Sequence, residues 1–149
     1  MARNQIDIEG SVDDVFDVLR DPFSYSDWVV GTKEIVDADD DWPRVGSTFR
    51  FRVGAGPIGK EGTTLVLESE DPRRLKLETK SLPMGTIVIT IEVHDLEDGR
   101  SRVTLDETSS AMPLLSSGFD VMLHLRNYET LTRLRGLVEG RAQIGRAHV

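Results

Sequence analysis

Apolar and polar residues alternate along most of this chain, and the stretches that break the alternation mark its helices. Ile6 and Ile8 alternate with Gln5, Asp7 and Glu9, which predicts a short half-buried strand broken by Gly10. Ser11 then suits a helix N-cap, and Asp13 and Asp14 fall in the first turn, where the helix dipole favours anions. Val12, Val15, Phe16 and Leu19 recur at the spacing of one helical face. Asp21-Pro22 ends that helix. Phe23 to Val30 predicts a second short helix or turn, closed by Gly31.

Period-two alternation then returns six times, separated by turn residues. Lys33 to Ala38 is the first of these strands, followed by the turn Asp39-Asp40-Asp41-Trp42-Pro43. Phe49, Phe51 and Val53 alternate with arginines, and Leu65 and Leu67 with Thr64, Val66 and Glu68. After Asp71-Pro72-Arg73-Arg74 come Leu75, Leu77 and Thr79, then Ile87, Ile89, Ile91 and Val93. Glu97-Asp98-Gly99 is a hairpin signal leading to Val103 and Leu105. Successive hairpins of this kind imply one antiparallel sheet with a single apolar face.

Beyond Pro113 the period changes again. Phe119, Leu123, Asn127, Leu131, Leu134 and Val138 follow helical spacing, and a helix from Pro113 to Glu139 would be about 40 Å long. Gly140 is the expected stop. The remainder, 142–149, adds no pattern, resembles a translated sequencing-adapter read-through, and is expected to be foreign to a single domain over 1–141.

Composition narrows the possibilities. The chain has 149 residues, enough for one domain with a sizeable core. It has no cysteine, which excludes disulfides, thiolate nucleophiles and Cys-ligated zinc. The net charge is −8, and residues 1–41 carry 12 acidic against 3 basic side chains. Phosphate binding needs a cationic footprint, so nucleic acid is not expected as a partner. The first ten residues contain no apolar run of the signal-peptide kind and no stretch is long enough to span a bilayer, so a cytoplasmic protein without membrane insertion is expected.

Several motifs fail on context. Gly54-Ala55-Gly56-Pro57-Ile58-Gly59 spells a dinucleotide fingerprint but leads into a strand and contains a proline, so it reads as a hairpin loop. The Asp37–Asp41 cluster lacks the glycine and glutamate of a calcium loop. His94, His124 and His148 have no ligand spacing, and no G-x-S-x-G occurs. Neither a metal nor a cofactor is expected.

The informative positions are polar residues on apolar faces. Strand parity puts Glu107 beside Val103 and Leu105, Thr79 beside Leu75 and Leu77, and helical spacing puts Asn127 between Leu123 and Leu131. A buried carboxylate needs a partner. If Glu107 is ion-paired, the candidates are Arg50, Arg102 and Arg126.

Three segments carry a resemblance to a known family: IDIEGSVDDVFDVLRDPFSYSDWVVG at 6–31, Trp42-Pro43-Arg44-Val45-Gly46-Ser47-Thr48-Phe49, and the closing helix with Arg126-Asn127, Leu131 and Leu134. Over residues 4–141 the sequence resembles the START/SRPBCC superfamily, in particular its polyketide cyclase/dehydrase and lipid transport branch. The resemblance implies an α+β helix-grip fold: a curved seven-stranded antiparallel sheet around a long C-terminal helix, with two short helices after strand 1 and a ligand cavity between sheet and helix. It carries over no catalytic residues.

On that basis the expected activity is binding of a hydrophobic or aromatic small molecule, lipid-like or polyketide-like, by a monomer or homodimer. The expected lining residues are Trp28, Phe49, Phe51, Leu65, Thr79, Ile89, Leu105, Glu107, Phe119, Leu123 and Asn127. The alternatives are a polyketide cyclase, aromatase or dehydratase, with Glu107 the one candidate for general acid or base, and a macromolecular interaction protein using the acidic N-terminal region.

Overall fold

In the computed structural model, residues 2–54, 60–81, 85–109 and 117–147 are described, the side chains at 109, 117–124 and 143–147 excepted. The elements are β1 (Ala2–Ile8), α1 (Val12–Leu19), α2 (Tyr25–Trp28), β2 (Thr32–Ala38), β3 (Thr48–Val53), β4 (Lys60–Glu70), β5 (Arg74–Ser81), β6 (Gly85–Glu97), β7 (Arg100–Ser109) and α3 (Ser117–Ala147). A single 3-10 turn, Pro22–Ser24, joins α1 to α2.

The seven strands form one antiparallel sheet in the order β1-β7-β6-β5-β4-β3-β2. Strands β2 to β7 run as a meander, each pairing with the next, and β1 closes the far edge against β7. The helices α1 and α2 carry the chain from one edge strand to the other. This is the helix-grip architecture expected from the sequence.

Local chemistry accounts for the helix starts. Ser11 accepts a hydrogen bond from the Asp14 amide, and the Asp14 carboxylate accepts one from the Ser11 amide, a reciprocal capping box. Asp21 caps the 3-10 turn with Pro22 in its first position, where the missing N–H costs nothing. The carbonyl of Leu19, at the end of α1, has no partner within its helix, and accepts from Tyr25 Oη at 2.9 Å and Trp42 Nε1 at 3.1 Å. Two aromatic residues are thereby fixed to the end of one helix.

The core lies between the inner face of the sheet and the helices. Val15, Phe16, Val18 and Leu19 of α1 and Leu131, Leu134 and Val138 of α3 pack with Ile6, Ile8, Leu75, Leu77, Ile91, Val93, Val103 and Leu105.

Two expectations are corrected here. Gly140 does not stop the last helix, which continues to Ala147. A glycine inside a helix costs only about 1 kcal/mol relative to alanine, and Arg141 on the far side of it still bonds Asp21. Leu65 does not face the core. Along β4 the buried positions are Gly62, Thr64 and Val66, so Leu65 and Leu67 lie on the outer face. Leu65 pairs there with Thr48 and Glu78.

Candidate functional site

A cavity of about 370 Å³ lies between the sheet and the helices. That is near the small end of the usual range for ligand pockets, roughly 300–1,000 Å³. Its floor is Leu77, Ile87, Ile89, Ile91 and Leu105.

One wall is aromatic. Tyr25 packs on Trp28 and Phe49 at centroid distances of 4.7 and 5.0 Å, Trp42 backs Phe49 at 4.7 Å, and Phe51 follows at 6.0 Å. The polar handles of this cluster are already engaged with protein. Tyr25 and Trp42 bond Leu19, and Trp28 Nε1 donates to Ser24 Oγ at 3.3 Å. Burial pushes the pKa of the Tyr25 phenol up, so it stays neutral. Tyr25, Trp28, Phe49 and Phe51 therefore present apolar surface to the cavity.

Polar groups converge at one end. Glu107 on β7 is fully buried. Its Oε2 accepts from Asn127 Nδ2 at 3.2 Å and its Oε1 from Arg126 Nη1 at 3.3 Å. Both contacts are longer than the roughly 2.7–2.9 Å of a tight charge-assisted bond. Arg126 keeps 27% of its side chain exposed, so it bridges the buried carboxylate to the surface. Its Nε also donates to the Val30 carbonyl at 3.2 Å, and Thr130 accepts from the Val30 amide at 3.1 Å. The other two arginines considered as partners for Glu107 are engaged elsewhere. Arg50 pairs with Asp37 and Arg102 with Asp7. In each pair the arginine lowers the carboxyl pKa by hydrogen bonding.

The sequence-derived candidates Trp28, Phe49, Phe51, Thr79, Ile89, Leu105, Glu107 and Asn127 all line this cavity. Leu65 does not, and Thr64 takes its place. The side chains of Phe119 and Leu123 lie outside the described residues. Tyr25, Val30, Thr64 and Thr130 were not among the expected lining residues. Thr130 had a signal, since it falls three positions after Asn127 on the same helical face. Val30 had none, because only tertiary packing brings it to α3. Among the described residues no cluster of histidine, aspartate and glutamate could hold a metal ion, and no helix is long and apolar enough to cross a membrane.

Residues 2–137 match the family model described as "Polyketide cyclase / dehydrase and lipid transport". No curated protein matches the chain. Among solved structures, DynU16, a protein of the dynemicin biosynthetic locus, superposes with a TM-score of 0.69 at 19% identity over 93% of this chain. The di-domain ARO/CYC BexL of the BE-7585A biosynthetic pathway gives 0.72 at 19% identity, also over 93%. The chain spans 46% of the length of each of these two. A protein from Arthrobacter aurescens gives 0.73 at 15% identity, with 93% of this chain and 85% of that one covered. At such identities these likenesses show a shared fold.

Proposed function

The chain belongs to the polyketide cyclase / dehydrase and lipid transport family, and from that premise we propose that it binds a hydrophobic or aromatic small molecule in the cavity between the sheet and α3. The observation that carries this reading is the composition of the cavity. Four aromatic rings and an aliphatic floor surround it, while Glu107, Arg126 and Asn127 converge at one end. Apolar surface supplies affinity, and a few fixed polar groups orient the ligand. Native mass spectrometry of the purified protein tests the reading. A bound mass of small-molecule size, lost on denaturation, supports it. A bare protein that also takes up no apolar compound refutes it.

A second reading, catalysis on a polyketide-like chain, rests on one observation: a fully buried carboxylate beside two hydrogen-bond donors. Glu107 is positioned to accept a proton from a carbon next to a carbonyl, while Arg126 and Asn127 donate to the oxygen on which charge develops. Glu107→Gln separates the readings. If the protein only binds, affinity changes modestly. If it catalyses, turnover of a poly-β-ketone thioester is abolished while binding persists.

A further inference from the structure

The cavity has a second polar end. In the sheet register Glu107 pairs with Ile89 and Ile89 with Leu77, while Ile87 pairs with Thr79 and Thr79 with Thr64. Thr79 is therefore two strands from Glu107 and Thr64 is three, roughly 10–14 Å across the sheet at about 4.8 Å per strand. Ile87, Ile89 and Leu77 form the apolar floor between the two ends.

The Thr64 and Thr79 hydroxyls lie 3.0 Å apart, both on the cavity wall, and Ser81 lines it two positions further along β5. Each hydroxyl has one donor and two acceptor sites, and the bond between them uses one of each. The pair thus retains hydrogen-bonding capacity. Strand formation does not require these hydroxyls, because valine has the same branched shape and the same preference for strands.

Charge at the cavity is balanced. Among the described lining residues, Arg126 is the one cation and Glu107 the one anion, and they pair with each other. Among the described residues a charged ligand would meet no free counter-ion, and burying an unpaired charge is costly.

We propose that the cavity selects an uncharged ligand with a rigid apolar body and a hydrogen-bonding group at each end, one engaging Glu107, Arg126 and Asn127 and the other engaging Thr64 and Thr79. This rests on the ligand-binding reading above and names the substrate class within it. A single-headed lipid would leave the threonine pair against hydrocarbon, and a fatty acid would add an unpaired carboxylate.

Calorimetric titration with 4,4′-dihydroxybiphenyl, 4-hydroxybiphenyl and biphenyl-4-carboxylate tests the class. The diol binds about tenfold tighter than the mono-ol, which is the scale of one well-made hydrogen bond, and the carboxylate binds weakest. In Thr79→Val the advantage of the diol shrinks to within about twofold, since removing a partner removes its bond. The wild-type comparison stands by itself if that variant fails to fold. Equal affinity for diol and mono-ol, or a carboxylate that binds as tightly as the mono-ol, overturns the proposed class and leaves ligand binding intact. Failure of all three to bind overturns the class, and overturns ligand binding as well if the protein takes up no other apolar compound.

Discussion

The amide of Val30 donates to the hydroxyl of Thr130 across 100 positions of sequence, at 3.1 Å. The carbonyl of the same residue accepts from Arg126. Helix α3 thus takes both backbone polar groups of one residue in the turn between α2 and β2. Gly31, at φ 99°, lets that turn swing back into β2. Val29, Val30 and Gly31 line the cavity, so the two bonds from α3 to Val30 help hold one of its walls in place.

Thr130→Val keeps the shape of the side chain and removes the acceptor. The Val30 amide is left without its partner, at a cost of about 1 kcal/mol. The wall should also loosen, so that an apolar ligand both enters and leaves faster. Chemical denaturation and stopped-flow binding check the two effects. Unchanged stability would mean that water replaces the hydroxyl without loss.

Arg126→Met and Glu107→Gln break the same ion pair with unequal effects. Without Arg126, a fully buried carboxylate loses its counter-charge, and a loss of about 3 kcal/mol is expected. Without the Glu107 charge, Arg126 still bonds Val30 and still reaches solvent, so the loss is about 1 kcal/mol. Denaturant unfolding of both variants gives the order. The reverse order would show that the carboxylate has water access of its own.

Gly62 lies against Phe51. A Cβ at this position would stand 2.5 Å from Phe51 Cζ and 2.9 Å from the Lys80 carbonyl oxygen. Gly62→Ala should cost about 1–3 kcal/mol, as overpacking does, and should push the Phe51 ring and so change cavity affinity. A thermal melt together with a dye titration reads both effects.

Asp71 has its pKa lowered by hydrogen bonding to Arg20, partly opposed by burial. In the unfolded chain this group titrates near ~3.9. As pH falls the unfolded state takes up the proton first, so the pair stabilises the fold above that pH and the contribution fades as pH falls through the lower folded value. Both side chains are about a third exposed or more, which limits the contribution to about 0.5–1 kcal/mol. Asp71→Asn should therefore be slightly less stable than wild type at neutral pH, with the gap closing as pH falls through the unfolded and then the lower folded titration. A gap that persists in acid would assign the effect to shape and not to charge.

The fold was legible because most strands have one wet and one dry face. Ile87, Ile89, Ile91 and Val93 share the inner side of β6, and the parity that buried Val103 and Leu105 also placed Glu107 correctly. Helical spacing placed Asn127 in the same way. Strand β4 misled because its outer face carries two leucines, while its inner face carries Gly62, Thr64 at the cavity and a single apolar side chain, Val66. Counting apolar residues then selects the wrong side. The departure of Thr64 from that rule is itself part of the candidate site. The clasp on Val30 was not legible, because backbone hydrogen bonds across the fold leave no mark in residue identity.

The most direct test of the cavity is titration with 1-aminoanthracene, a neutral dye whose emission rises in apolar surroundings. Wild-type protein should show a saturable one-to-one rise in emission. Ile89→Trp, which fills the floor between the two polar ends, should remain folded and lose the signal. No saturable signal from folded wild-type protein, or an undiminished one from folded Ile89→Trp, would contradict the account.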